Sequence, residues 1–267
     1  MENAKNQVQK HLDVCEKRRP RRGNFASRFF RKEDYNNYSD EEMLAELNFA
    51  EALFLYAILT FFNGQTIVTL IRAAFKLHTS YNILCFCYEV QKSDAKTWTH
   101  EHCKYTFDAG VLNAIGFVNL MLSNLPSSIL KLMAIAGMTG DRQLGIRCLT
   151  AASQMDNQIR IQLNYCMILG YNIYLEQMLG LGEGGTDWAE QVASGFLARH
   201  PDGAIPLFLN ARVALLRSDP RRALDLYHRC LRLKSDWKQI DLFCYFDLIW
   251  GYAIMEDWSN AAKYSMM

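Results

Sequence analysis

Two glycine-rich stretches of the sequence have the residue types of nucleotide-binding loops. GMTGDRQLG spans residues 137–145, and GLGEGG, Gly180 to Gly185, fits the GxGxxG pattern. A phosphate loop requires a preceding strand, a Lys followed by Ser or Thr, and a helix whose amino end faces the anion. Both stretches follow helical patterns instead, and Glu183 in the second would repel a pyrophosphate. We therefore interpret GLGEGG as a loop between repeats.

The first stretch is better explained as a corner between two helices. Gly137 can adopt the left-handed conformation that ends a helix. Thr139 can cap the next helix, and Asp141 falls in its first turn. The sequence therefore predicts a helix corner built on Gly137, Gly140 and Asp141.

Cysteines and histidines form one grouping that could hold a metal ion, namely Cys85, Cys87, His100, His102 and Cys103. Residues two apart on a helix point about 200° from each other, so Cys85 and Cys87 cannot share a zinc ion on an unbroken helix. The sequence also has no HExxH spacing and no GxSxG turn. We therefore expect no metal, no cofactor and no catalytic residue, and the protein is not expected to be an enzyme.

Charge separates the amino-terminal segment from the rest of the chain. Residues 1–32 carry ten Lys and Arg against three acids, whereas residues 33–267 carry nineteen against twenty-five. The acidic body gives little support to nucleic-acid binding. The KRRPRR run resembles a nuclear-import signal or an anchor for an anionic surface, with a solubilising tail as the alternative. We expect residues 1–38 to form a basic flexible arm.

The eight cysteines lie mostly within apolar helical runs, and no secretory signal opens the chain. We therefore expect reduced core thiols and a cytoplasmic location, with nuclear entry or attachment to an organelle surface as alternatives. Two uncharged runs, residues 52–71 and 109–130, are long enough to span a bilayer. Polar side chains interrupt both runs, so buried helices are favoured and no transmembrane span is expected.

From Ser39 onward the apolar spacing is helical, and no alternating strand pattern is present. The SDEE run supplies an N-cap and an acidic first turn. Asn63 and Gly64 end this helix, and so short a connection predicts an antiparallel neighbour. The sequence predicts divergent helical hairpins over residues 39–180 and repeats over residues 181–267, the last of them incomplete.

A repeat is visible near the carboxyl end, where Ala189 aligns with Ala223 at the period of about 34 residues that defines tetratricopeptide repeats. A third copy follows at a longer offset, with Ala261 in the place of Ala223. The helix-packing positions are Ala189, Ala211, Ala223, Tyr227, Tyr252 and Ala261. Hairpins of this type bury their apolar stripes on one another. The predicted fold is all-α, a right-handed superhelical stack of antiparallel hairpins.

Four segments resemble the tetratricopeptide-repeat protein 39 family, whose fungal relatives are the inclusion-body clearance proteins. They begin AEALFLYAILTFFNG, FDAGVLNAIGFVNLM, HPDGAIPLFLNARVA and SDWKQIDLFCYFDLI, and the likeness covers about residues 40–267. The resemblance implies an all-helical, noncatalytic scaffold from a family linked to inclusion clearance and to lipid or sterol handling. From the resemblance we expect the basic arm to stand where the family has an amino-terminal hairpin, and the family's carboxy-terminal repeats to be absent, as in a fragment or a short isoform.

The leading hypothesis is an adaptor that binds other proteins in a groove of stacked hairpins. Four residues are candidates to line this groove: Arg212, Lys234, Trp237 and Lys238. A solvated face is the alternative for the charged ones. The alternative function is a lipid-binding protein whose uncharged helices enclose an apolar cavity or lie on a droplet or membrane surface.

Overall fold

The computed structural model describes residues 2–19, 35–63, 66–93, 96–124, 131, 133–134, 137–155, 160–180, 186–233 and 237–267. Over these residues the protein is all-α, without a strand, and within each of its two units helices adjacent in the chain pack on one another. The predicted class of an all-α, tetratricopeptide-like fold is confirmed. The chain divides into two compact units, Met1–Ile161 and Gln162–Met267. This division precedes the predicted boundary at residue 180, because the ring of Tyr165 packs on Phe196 of the repeats, 4.9 Å between centroids.

Besides a 3-10 turn at Tyr35–Asn37 and the helical residues 131 and 133–134, the first unit contains five α-helices within its described residues. They are α1 (Glu2–Arg18), α2 (Asp40–Asn63), α3 (Ile67–Ser93), α4 (Glu101–Ser123) and α5 (Arg142–Ser153). The predicted N-cap of α2 is confirmed, because the N–H of Glu42 donates to Ser39 Oγ at 3.2 Å and the N–H of Ser39 donates to Glu42 Oε2 at 2.9 Å. This reciprocal pair is a capping box. The core between α2, α3 and α4 includes Leu47, Ile83 and Phe107, all almost completely buried.

The amino-terminal segment is helical rather than flexible over residues 2–18, so the predicted arm is wrong there. Helix α1 buries Leu12 and Cys15 against α2. Just after α1, Arg19 makes two hydrogen bonds to the buried Glu46, at 2.6 and 2.9 Å. Its guanidinium also lies over the ring of Phe49, 3.8 Å from the centroid. The high density of basic residues predicted a flexible segment, although residues 2–18 form a helix with one apolar side. Helix α2 covers that side.

The second unit begins one residue into α6 (Ile161–Gly170). This helix continues through a π-helical turn (Tyr171–Leu175) into a short last turn (Glu176–Leu179). The repeat helices follow in order: α7 (Thr186–Arg199), α8 (Ala204–Leu216), α9 (Pro220–Arg232), α10 (Lys238–Ile254) and α11 (Trp258–Ser265). Each of α8 to α10 packs on the helix that follows it. These elements form the hairpins α8–α9 and α10–α11.

The two hairpins turn in the same way. Ser218 and Glu256 both have a φ of 60°, the left-handed region that non-glycine residues rarely adopt. The next residue, Asp219 or Asp257, caps the second helix by accepting a hydrogen bond at 3.1 Å from an N–H three residues later. The offset from Ser218 to Glu256 equals the predicted offset between the second and third repeats.

Candidate protein-interaction surface

The glycine corner lies between the helical residues 131 and 133–134 and the start of α5, and it packs against the end of α4. Its glycines permit the backbone conformation and the close packing found there. Gly137 has a φ of 75°, the left-handed conformation that ends a helix. The N–H of Met138 then donates to the carbonyl of Met133 at 2.9 Å. A Cβ atom on Gly140 would lie 2.5 Å from the backbone nitrogen of Ser123. Residue 140 therefore has no room for a side chain.

Asp141, rather than Thr139, caps α5. Its Oδ1 accepts a hydrogen bond from the N–H of Leu144 at 2.9 Å, whereas the carbonyl of Thr139 accepts one from the Tyr81 hydroxyl at 3.1 Å. The N–H of Asp141 donates to Asn119 Oδ1 at 2.9 Å. The predicted cap at Thr139 is wrong, because the backbone is still extended at Asp141. Protein groups already satisfy these N–H donors, which favours the corner over a phosphate loop.

The second glycine stretch begins at Gly180, which ends a helical turn with a φ of 61°. Residues 181–185 lie outside the described residues. The interpretation of GLGEGG as a loop between repeats therefore stays a prediction.

The candidate metal grouping is brought together only in part. Within the described residues, donor atoms of Asp40, His100 and Cys103 lie within 4.8 Å of one another. The other candidates, Cys85, Cys87 and His102, are not in this group. The Asp40 carboxylate accepts a hydrogen bond from the N–H of His100 at 2.9 Å and lies 3.5 Å from Lys96 Nζ. The ammonium competes with any metal cation for this carboxylate, so the group is better explained as a buried ion pair.

Asp40 connects the start of α2 to the start of α4. Burial raises the pKa of its carboxyl, but hydrogen bonds from the N–H groups of His100 and Thr99, together with the charge of Lys96, outweigh this effect. The net pKa of Asp40 therefore lies below its usual value. A carboxyl with a lowered folded-state pKa stabilises the fold above its unfolded pKa, about 3.9. That contribution is lost as the pH falls through the folded-state pKa.

Replacing Asp40 with asparagine should lower the free energy of unfolding at pH 7 by on the order of 1–2 kcal/mol. The difference from wild type should shrink as the pH falls below about 4, because the carboxyl of the unfolded chain is protonated there first and the folded one follows at its lower pKa. Urea denaturation at pH 7 and pH 3 measures both values. Asp202→Asn is a matched control, because Asp202 is exposed and should show little difference at either pH. An equal loss for Asp40→Asn at both pH values would contradict this account.

All eight cysteines are free thiols. Burial raises the pKa of Cys87 well above its usual value, and it also raises the pKa of Cys85 and Cys148. Such thiols are protonated at neutral pH and are therefore weak nucleophiles. Cys230 and Cys244 share a hydrogen bond, which lowers the pKa of Cys230 and raises the pKa of Cys244.

The repeat positions that press helices together hold small or fully packed side chains. The buried ones are Ala189, Ala211, Ala223, Tyr227 and Ala261. Tyr252 is partly exposed and stacks on the ring of Tyr264, with 5.6 Å between centroids. Their burial is consistent with the predicted helix-packing role, which stays a prediction.

Among the groove candidates, Arg212 already has partners in the protein. Its guanidinium pairs with Asp247 Oδ1 and lies over the Tyr174 ring, 5.5 Å from the centroid. Tyr227 donates its hydroxyl hydrogen to Asp247 Oδ2 at 2.7 Å. Burial raises the pKa of Asp247, and the hydrogen bond from Tyr227 and the charge of Arg212 partly offset this. The cluster connects α8, α9 and α10 to the π-helical turn.

The remaining groove candidates differ in exposure. The side chain of Lys238 is 76% exposed, and Trp237 is 49% exposed. Lys234 lies outside the described residues. The assignment of these residues to a partner groove stays a prediction.

One side of α10 is apolar and open to solvent. Its side chains are each between 55% and 61% exposed, and they are Leu242, Phe243, Phe246, Trp250 and Ile254. Their spacing places them on one arc of the helix, spanning about 120°. The opposite side carries the buried Cys244, Leu248 and Gly251. We call the five exposed residues the α10 apolar face.

The preceding repeat shows what normally covers this face. Phe208 on α8 and Phe246 on α10 occupy the same repeat position, at the offset that separates Ala223 from Ala261. Phe208 is 7% exposed, whereas Phe246 is 56% exposed. The ring of Phe208 packs against Phe243 of the next hairpin, with 6.1 Å between centroids. The α10 apolar face is therefore a surface that another packed helix would bury.

A second exposed apolar surface lies near the connection between α2 and α3. Phe61, Val68, Ile71 and Phe75 are between 50% and 70% exposed. The last three share one side of α3, because they are three or four residues apart. We call these four residues the hairpin tip.

Two helices, Asp40–Phe61 and Glu101–Ser123, are long and apolar enough to cross a membrane by length and composition alone. Their apolar windows are 44% and 67% buried inside the protein. Core helices of soluble proteins pass the same test, so this is weak evidence for a span. In α4, the side-chain amides of Asn113 and Asn119 donate to carbonyls one turn earlier, at 3.0 and 2.9 Å.

Comparisons with known proteins show which family the whole sequence resembles. The family profile described as Iml2/Tetratricopeptide repeat protein 39 matches residues 1–267. The chain belongs to this family. Tetratricopeptide repeat protein ttc-39B of Caenorhabditis elegans is 28% identical over 269 residues, and the alignment covers 100% of this chain and 46% of the worm protein.

The Iml2/Tetratricopeptide repeat protein 39 match is longer than the four resembling segments, which begin at about residue 40. It includes α1, so the interpretation of residues 2–18 as an arm in place of a family helix is wrong. The chain spans about half the length, 46%, of the worm relative it matches.

Proposed function

We propose that this protein is a noncatalytic scaffold that binds other proteins through the α10 apolar face. The observation that carries the proposal is a continuous row of half-exposed aromatic and aliphatic side chains on one repeat helix. Monomeric proteins rarely expose an apolar patch of several hundred Å² without using it. Aromatic side chains also dominate the binding energy of protein interfaces, with Trp the strongest anchor. The free thiols support a cytoplasmic location as part of this proposal.

The family match supports a repeat-based scaffold. The arrangement of the buried thiols and carboxylates is consistent with it. The thiol and carboxylate clusters at Cys87, Asp40 and Asp247 are engaged in packing, hydrogen bonds or ion pairs inside the protein. The links of relatives to inclusion clearance and to lipid or sterol handling extend the proposal to an adaptor in those processes. A measured turnover that one point change abolishes would contradict the noncatalytic part.

Affinity capture with the full chain tests the binding surface. Bound proteins should be quantified for wild type, for Phe246→Glu and for the control Phe75→Glu. Both phenylalanines are exposed, but Phe75 belongs to the hairpin tip. Glutamate at residue 246 should reduce capture of a direct partner by at least about tenfold, because it places a charge in the apolar contact. Equal capture by the two variants would exclude the α10 apolar face.

The hairpin tip favours a second candidate function, association with a lipid surface. Phe61 and Phe75 are 60% and 70% exposed, and Arg72 is exposed on the same side of α3 as Val68 and Phe75. Aromatic side chains next to cations suit the interface of an anionic bilayer. Flotation with anionic liposomes should recover the wild type and lose Phe75→Glu. Recovery of both proteins in the soluble fraction would reject this candidate.

A further inference from the structure

We infer that the α10 apolar face binds the same face of a second copy of this chain, with the two helices antiparallel around a twofold axis. The inference rests on the proposed function, since it names the partner of that surface. It follows from three properties of α10: its apolar area, its lack of exposed charge within the face, and the charges at its two ends.

The face is large enough to contribute most of a dimer interface. Five side chains that are each more than half exposed offer roughly 500 Å² per copy. A standard interface buries about 800 Å² per partner. Trp258, at the start of α11, is also 67% exposed. A contact of this size lies at the lower end of specific interfaces, so we expect a weak dimer that forms at micromolar concentrations or above.

Two copies of the α10 apolar face can also pack on each other without bringing like charges together. Between residues 238 and 255, all described, the charged side chains of α10 are Lys238, Asp241 and Asp247. Asp247 is buried on the other side, and Asp241 is mostly buried. A twofold pairing therefore brings apolar side chains onto apolar side chains and creates no like-charge contact within the face.

The ends of the helix carry opposite charges at symmetric positions. Lys238 stands nine residues before Asp247, and the exposed Glu256 stands nine residues after it. Lys238 is the first residue of α10 and Glu256 follows its last residue, Ile254, so the two lie at opposite ends of the face, about 27 Å apart at the helical rise. Lys238 also lies 3.8 Å from Asp241 of its own helix and remains 76% exposed. An antiparallel twofold pairing centred near Asp247 places Lys238 beside the partner's Glu256, twice per dimer. A parallel pairing would instead bring the two lysines together.

Sedimentation equilibrium on the full chain, over a range from below to above micromolar concentration, tests self-association. Wild type should shift from monomer to dimer across this range. Phe246→Glu should weaken the dimer by at least about a hundredfold, because each interface contains two copies of the change. Phe75→Glu should leave it unchanged. Circular dichroism of each variant reports whether the helices are intact.

Charge reversal tests the antiparallel geometry. Lys238→Glu and Glu256→Lys should each weaken the dimer by roughly tenfold, because each creates two like-charge contacts. The double variant should recover the wild-type dissociation constant to within about twofold. The differences among these variants should diminish in high salt. A double variant as weak as either single variant overturns the antiparallel pairing.

Failure of this inference can be distinguished from failure of the proposed function. A chain that stays monomeric, while Phe246→Glu loses a different captured protein, overturns self-association and supports the scaffold. A dimer that survives Phe246→Glu places self-association on another surface and overturns the inference. If Phe246→Glu changes neither the dimer nor the captured proteins, both proposals fail. Binding of the α10 apolar face to liposomes in place of protein also overturns both.

Discussion

Replacing Asp247 with alanine should lower the free energy of unfolding by on the order of 3 kcal/mol. The change removes the acceptor of the Tyr227 hydroxyl and the ionic partner of Arg212. The Arg212 side chain is 25% exposed, so water can reach it only in part. Breaking a buried pair by removing one partner costs about 3–5 kcal/mol, and the partial exposure of Arg212 places this case at the lower end.

Two further variants separate the charge from the hydrogen bond at this cluster. Tyr227→Phe removes the hydroxyl and should cost about 1 kcal/mol. The double variant Arg212→Met, Asp247→Leu should recover most of the stability, because packed apolar side chains can replace a buried ion pair. Urea denaturation monitored by circular dichroism gives the three values. If Asp247→Ala costs no more than Tyr227→Phe, the ion pair contributes nothing measurable.

Gly140→Ala should have a similarly large effect, lowering the free energy of unfolding by about 2–3 kcal/mol. A Cβ atom at residue 140 would lie 2.5 Å from the backbone nitrogen of Ser123 and 2.8 Å from the carbonyl carbon of Leu122. These are backbone atoms at the end of α4, and they cannot rotate away as a flexible side chain can. Either α4 or the corner must shift to accommodate one methyl group.

Gly195→Ala is the matched control for that substitution. Gly195 lies within α7, and a Cβ atom there would meet nothing within 4 Å. Alanine should therefore stabilise the protein by about 0.5–1 kcal/mol, through its higher helix propensity. Thermal and urea unfolding of both variants should give shifts of opposite sign. Equal small shifts would mean that the corner does not require a glycine at residue 140.

The repeat was readable from the sequence because its signal is local and periodic. Ala189 and Ala223 recur at the spacing of one hairpin, and helix contacts leave room for only a small side chain there. The left-handed turn at Gly137 was predictable for a similar reason, since few residues other than glycine adopt that conformation. By contrast, Ser218 and Glu256 adopt it without the glycine that would have signalled it.

Other features depend on contacts between residues that are distant in the sequence. Asp40 and His100 belong to different helical hairpins of the sequence pattern, and no spacing rule connects them. Arg212 has the charge and length expected of a residue that binds a partner in a groove. The structure shows instead that it pairs with Asp247 of another helix. Helix α10 is apolar on most of its circumference, which predicts burial on every side. Its exposed side became recognisable only when the covered Phe208 could be compared with the open Phe246.

The contacts of Arg19 change how the basic run after α1 should be tested. Arg19 is fixed to Glu46, and Asn36 accepts a hydrogen bond from the N–H of Thr97 at 2.6 Å. The chain is therefore tethered on both sides of residues 20–34, so a receptor for these arginines would have to engage an internal segment instead of a free terminus. Truncation of residues 1–32 would also strip Leu12 and Cys15 from the α2 surface. Neutralising the arginines in place changes the charge while leaving that helix attached.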